Sequence, residues 1–260
     1  MNPSGRHRII ELDETVSTNA DAMRLALQGE PLPLWVSARR QTGGRGRAGR
    51  GWQSDDCNLQ ASLAFLCAGP LIVAQELALL AGVAAIDAIR GIKPLASDVG
   101  LRLKWPNDIL IGNAKTGGIL VESTTARGEP GFLAVIGIGL NVATCPSGLG
   151  RAATSLAQNG LVTTPRAMLD EVADQMERWL AVWDAGRGFS HVREAWLSRA
   201  GTIGEAISVH TSSGRRTGTY RGLSPSGALL ADCDGCLETI TAGDVNLAAN
   251  DNRGGRPGTV

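Results

Sequence analysis

The chain lacks net charge: its 260 residues carry 25 Lys+Arg against 25 Asp+Glu. That balance gives no whole-molecule field to gather nucleic acid or a membrane surface, so any anion handling must come from a local cluster. A signal-peptide core is lacking too, because in MNPSGRHRIIELDE the pair Ile9-Ile10 runs straight into acidic residues. No stretch reaches the ~20 uncharged apolar residues of a membrane span, and the longest candidate, residues 71–89, carries Glu76 and Asp87. Cysteine has no pattern. Five scattered cysteines form no disulfide framework, and the expectation is a reduced, cytoplasmic setting with no membrane partner. Cys233 and Cys236 make a lone CxxC without the second pair or nearby histidine that a zinc site needs. The pair falls in a polar turn rather than at a helix start, where a redox motif would sit, so it reads as two small turn residues.

Internal repeats and long low-complexity segments are also missing, and the length suits one sizeable core with a small accessory domain. Ser17 or Thr18 reads as the N-cap of a helix with Ala20, Met23 and Leu27 on one face. Residues 34–36 form a short strand, and Leu59, Ala61, Leu63 and Phe65 alternate as a half-buried strand does. Residues 74–90 predict a mostly buried helix, and 101–104, 118–122 and 132–137 three short strands. Leu169, Val172, Met176, Trp179 and Trp183 mark an amphipathic helix over 166–183, followed by a shorter helix over 191–199. After Gly201 the style changes to short β-type runs broken by SSG, SPSG, DCDG and AGD, which predicts a small antiparallel barrel or sandwich. The expected division is therefore an α/β (α+β) domain over 1–200, a small β domain over 201–249 and a disordered tail over 250–260.

Four segments carry chemistry. Gly44, Gly46 and Gly49 satisfy G-x-G-x-x-G, but a dinucleotide loop needs a helix opening at its third glycine, and Arg50-Gly51-Trp52-Gln53 does not begin one. The segment instead alternates permissive backbone with Arg45, Arg47 and Arg50 and ends on the indole of Trp52. Glycines allow close approach and movement, arginines pair bidentately with phosphate or carboxylate, and an indole offers a face to a purine. This describes a flap that closes over a nucleotide triphosphate. The competing reading, an RGG-like segment binding RNA without specificity, is disfavoured by its single copy in a neutral domain. Lys104-Trp105-Pro106-Asn107-Asp108 ends a strand in a rigid turn whose Asn-Asp pair could contact a ribose, a nucleotide or a metal. A bare Asn-Asp would be an ordinary turn; beside Lys and Trp-Pro that explanation weakens. Lys115 precedes Gly117-Gly118 and a buried strand, placing an ammonium at a strand mouth with little bulk around it. Gly137 and Gly139, in a strand ending at Asn141, suggest close approach of a ligand.

With these residues in hand, the chain resembles the biotin–protein ligase family from about residue 16 to 247. The resemblance is carried by Ser17-Thr18-Asn19, Gln41, the GRGRxGRxW loop, the intact KWPND, K-x-x-GILVE and GIGLN. It implies a catalytic domain like those of class II aminoacyl-tRNA synthetases and lipoate ligases, followed by an SH3-like barrel. By the same resemblance, Ser17, Thr18, Asn19, Gln41, Arg45, Gly46, Arg47, Lys115 and Gly118 match biotin-binding positions. Arg47, Arg50, Trp52, Asn107, Asp108, Lys115 and Asn141 match ATP-binding positions, with Trp52 as the adenine-stacking residue, and Lys115 and Arg47 carry the catalytic roles. It further implies ATP with Mg²⁺, a biotin carboxyl carrier protein as acceptor, and room for a homodimer. Metal ligands are not identified. Two departures stand beside Asn58-Leu59: Cys57 where the family usually has glycine, and Gln60 where it usually has an aromatic. Fewer than twenty residues precede Ser17, so a winged-helix DNA-binding domain and a DNA partner are not expected.

The expected reaction is attack of the biotin carboxylate on the α-phosphorus of ATP, then transfer of the acyl group to a lysine. Lys115, Arg47 and Mg²⁺ would stabilise the phosphoryl charge, and the flap over residues 43–52 would keep water from the anhydride. A lipoate or octanoate ligase on the same scaffold is the alternative within the enzyme class, against which the complete GRGRxGRxW and KWPND set speaks. A noncatalytic biotin sensor or nucleic-acid binder is the alternative from another class, disfavoured by the retained Lys115.

Overall fold

The computed structural model describes residues 6–53, 55–92, 100–125, 131–147, 152–211 and 214–247; the tail expected over 250–260 lies outside them. Its first layer is a seven-stranded mixed sheet in the order β1-β2-β3-β7-β6-β5-β4. The strands are β1 (Ile9–Thr15), β2 (Leu34–Gln41), β3 (Leu59–Cys67), β4 (Leu101–Lys104), β5 (Asp108–Ile111), β6 (Ala114–Thr125) and β7 (Phe132–Leu140). Only the β1–β2 ladder is parallel, and helix α1 (Thr18–Leu27) makes the crossover that a parallel pair requires. The two strands expected on either side of Gly137 are one continuous β7. Likewise β6 begins at Ala114, so Lys115 lies within a strand rather than in the loop before one.

Helix α2 (Leu77–Ile92) runs on from a short 3₁₀ segment, Leu71–Glu76. Together they are long and apolar enough to cross a membrane by composition, yet α2 is the central helix of the main core. Leu80, Val83, Ile86 and Ile89 are fully buried, packed between the sheet, α3 (Pro165–Trp183) and α4 (Phe189–Leu197). Both acidic groups of this segment are partnered: Glu76 accepts from the Trp183 indole at 2.6 Å, and Asp87 pairs with Arg199 at 2.8 Å. Helix α3 starts at Thr164, whose side chain accepts from the Ala167 amide, and buries Leu169, Val172, Met176 and Trp183 as its spacing predicts. Replacing Ile86 with alanine is expected to cost about 3 kcal/mol through lost burial and residual cavity. In urea denaturation this appears as a lower midpoint with unchanged slope; an unchanged midpoint would mean that α2 is not the core helix.

Of the face expected of α1 only Met23 is partly buried, against the cluster around Ala22. Ala20 is exposed and Leu27 is 56 % exposed, whereas Thr18, Asn19 and Ala22 face the sheet. Ser17 caps the helix, accepting from the Ala20 amide. The face toward the sheet carries both an apolar cluster, Ala22 with Met23, Leu25 and Ala26 against Leu34, Val36, Ala64 and Val135, and polar bonds: Asn19 Nδ2 reaches Glu122 at 2.7 Å, and Thr18 bonds Gln41.

The second layer follows α4. Strands β8 (Ala206–Thr211), β9 (Gly214–Leu223), β10 (Leu229–Cys233), β11 (Cys236–Ile240) and β12 (Asp244–Leu247) form one antiparallel sheet, ordered β11-β10-β9-β8-β12. Among the described residues no ladder joins β11 to β12. Cys233 and Cys236 pair across the β10–β11 hairpin and are both free thiols. Asp234 and Gly235 make the turn at positive φ. The two layers meet where Trp105, buried between them, donates its indole N–H to the Gly227 carbonyl at 3.1 Å.

Candidate active site

A cavity of about 870 Å³ opens between α1, the sheet, the Gly/Arg flap and β12. Where α1 meets the cavity, Gln41 Oε1 accepts from the Thr18 amide at 2.8 Å and the Thr18 hydroxyl at 3.0 Å. Ser62, one strand over on β3, donates to Asn19 Oδ1 at 2.6 Å. Asn19 in turn donates to Glu122, which also accepts from Arg45 at 3.1 Å. Such a connected set holds its donors and acceptors in fixed directions before any ligand arrives.

The flap is a small hairpin. Gly46 N donates to Arg50 O and Trp52 N to Gly44 O, with Ala48 and Gly49 turning the chain at positive φ. Gly44 has no room for a side chain, since a Cβ would sit 2.6 Å from the Trp52 carbonyl. The second sheet anchors this hairpin: Arg50 pairs with Asp244 at 2.8 Å, and Arg47 reaches Asp244 at 3.8 Å and the Gly243 carbonyl at 3.3 Å.

The glycines of β7, which line the cavity, also make room for side chains from other elements. A Cβ on Gly137 would lie 2.2 Å from Asn19 Oδ1, and one on Gly139 would lie 2.5 Å from the Trp52 ring. Trp52 thus rests on a floor of Gly139 and Gly118, with Lys115 Nζ 5.8 Å from its ring centroid.

Opposite the flap, Asp108 sits between two lysines, ion-paired to Lys104 at 2.9 Å and in short contact with Lys115. Burial alone would raise its carboxyl pKa, but the two ammonium groups outweigh burial and hold it down at about 2. Asp108 begins β5 rather than completing a turn. Asn107 braces the strand beside it, donating to the Ile119 carbonyl at 2.6 Å. Arg45, Arg47, Arg50, Lys104 and Lys115 line the cavity against only Asp108 and Asp244 as carboxylates. A chain with no net charge therefore concentrates positive charge at this one place, which suits a polyanion.

Ser17, Thr18, Asn19, Gln41, Arg45, Gly46, Arg47, Arg50, Trp52, Asn107, Asp108, Lys115 and Gly118 all line this cavity. Asn141 does not. It is 3 % exposed at the end of β7, and its amide donates to the Thr154 carbonyl, clasping a following loop. Lining residues that the sequence reading did not name as site residues include Gln60, Lys104 and Asp244. Lys104 was visible inside KWPND. Asp244 carried no signal beyond its place in an AGD turn, because its partners come from the flap.

The Biotin/lipoate A/B protein ligase family profile matches residues 12–141, and the Biotin protein ligase C terminal domain profile matches residues 202–247. The chain is 36 % identical over 242 residues to the biotin–[acetyl-CoA-carboxylase] ligase of Paracoccus denitrificans, covering 90 % of this chain and 98 % of that protein. It is 33 % identical to the bifunctional ligase/repressor BirA of Bacillus subtilis, covering 94 % of this chain and 74 % of that protein. In structure it resembles the biotin protein ligase of Aquifex aeolicus in complex with biotin and ATP, with a TM-score of 0.77 at 25 % identity over 93 % of this chain and 99 % of that one.

Proposed function

Because the chain belongs to the biotin protein ligase family, we propose that its cavity joins biotin to ATP at a cationic centre formed by the flap arginines and Lys115. The protein is a biotin–[acetyl-CoA-carboxylase] ligase, which activates biotin with ATP and transfers it to a lysine of a biotin carboxyl carrier protein. The observation that carries the mechanism is the convergence of five basic side chains on the cavity of an otherwise neutral protein.

The polar wall of Ser17, Thr18, Asn19 and Gln41 suits the ureido ring of biotin, which brings two N–H donors and one carbonyl acceptor. That placement directs the valeryl carboxylate toward Lys115 and Arg47. Attack of a carboxylate oxygen on the α-phosphorus forms the mixed anhydride and expels pyrophosphate. Negative charge grows on the phosphoryl oxygens, and fixed cations lower that barrier. Arg47 and Arg50, anchored by Asp244, hold the flap near the triphosphate, and Trp52 supports the adenine. In the second step the neutral amine of the acceptor lysine attacks the acyl carbon and AMP leaves with the electron pair of the broken bond.

Mg²⁺ is proposed to enter with ATP. The lining carboxylates, Asp108 and Asp244, are each held by two basic side chains. They do not form a ready cage for a hard cation, and no step is assigned to the ion. Mass spectrometry of a carrier domain incubated with the protein, biotin and ATP tests the reading. A single +biotin adduct on one lysine is expected; adducts formed with lipoate but not with biotin would replace it with a lipoate ligase.

A further inference from the structure

Gln60 stands on β3 with its side chain in the cavity wall, 2 % exposed. Its amide nitrogen donates to the Asp55 carbonyl at 3.3 Å. This fixes the orientation of the amide, since the reverse would set two carbonyl oxygens face to face. Oε1 is consequently buried with no hydrogen-bond partner. An orphaned buried acceptor is costly, so one held in a cavity wall points to a ligand that brings the donor.

The surroundings indicate which ligand. Gln60 pairs across the sheet with Gly139, over which the Trp52 indole lies. The indole N–H is also buried without a partner. Two residues along β3 and on the same face, Ser62 is already engaged with Thr18 and Asn19 at the biotin end. Gln60 therefore belongs to the Trp52 section of the cavity. Resting on the reading above, in which ATP fills that section, we infer that Gln60 is a nucleoside-selecting residue: its Oε1 accepts a hydrogen bond from an N–H or O–H of ATP, either the exocyclic amine of the base or a ribose hydroxyl.

The test is steady-state biotin-dependent ATP–pyrophosphate exchange by the full chain, comparing wild type with Gln60→Met and Gln60→Leu. The nucleotides are ATP, ITP (without the exocyclic amine), 2′-deoxy-ATP and 3′-deoxy-ATP. In both variants KM for ATP rises about tenfold, as expected for one lost bond to a buried neutral group, and KM for biotin does not follow. One analogue costs the wild type a similar factor and costs the variants nothing further, which identifies the donor. An unchanged KM for ATP, or a rise in KM for biotin in its place, overturns the inference. So does an equal rise for all four nucleotides, which would make Gln60 a support for Trp52 alone. Equal use of the four nucleotides by wild type overturns it too, and that result needs no folded variant. No exchange at all by wild type with biotin and ATP would instead overturn the ligase mechanism itself.

Discussion

Lys115→Ala is expected to lower biotin-dependent pyrophosphate exchange about 100- to 1,000-fold, the usual loss when one fixed donor to a developing oxyanion is removed. At the lower bound this corresponds to about 2.7 kcal/mol of transition-state stabilisation. Such a loss is too large for an exposed charge acting at a distance, where screening leaves about 1 kcal/mol or less. The fold should survive, because Asp108 keeps Lys104 as its partner at 2.9 Å and is not left as an uncompensated buried charge. Thermal unfolding of the variant separates the two effects: a nearly normal midpoint with a collapsed exchange rate is the expected pair of results. Exchange within about threefold of wild type would remove Lys115 from the chemistry.

Asp108→Asn has the opposite character, a large cost in stability. The carboxylate lies between Lys104 and Lys115, and all three side chains are largely buried. Its neutralisation takes away the carboxylate that both ammonium groups are paired with. Breaking a buried pair from one side costs about 3 kcal/mol, measurable as a fall in the urea midpoint at pH 7. The acid dependence follows from the sign of the shift. The folded carboxyl sits at about 2, below its ordinary 3.8. Its contribution is therefore complete above pH ~4 and is lost as pH falls toward 2. The stability gap between wild type and Asp108→Asn should shrink by about 1 kcal/mol between pH 7 and pH 3. A gap that stays constant over that range would show that the ionised form of Asp108 is not what stabilises the site.

Much of this site was legible in order of sequence, because its residues come in tight local groups. The flap, KWPND and the Lys115 segment each combine side chains that ordinary turns do not need. The strands were less legible. β1 begins with two apolar residues and then reads ELDET, which gives little alternation, and its place at the sheet edge beside β2 demands little. β5 was hidden because Asn107-Asp108 resembles a turn, although Asp108 already pairs with Gly118 on β6. Asn141 looked like a ligand contact from its motif and turned out to clasp a loop, since its amide finds the Thr154 carbonyl.

By itself the sequence determined where the chemistry could reside and which segments must be buried. A mostly apolar helix read over residues 74–90, a three- and four-residue stripe along α3 and a cluster of Arg, Lys, Gly and Trp are local patterns that periodicity and side-chain type suffice to read. Only the tertiary structure decided who neutralises whom. Arg50 and Asp244 meet across 194 residues of chain and Arg45 and Glu122 across 77, and Asn19 of α1 meets Glu122 of β6 across 103. Ion pairs and buried polar bonds depend on distances of a few ångströms between separate elements. No spacing along the chain encodes those distances until the layers have packed.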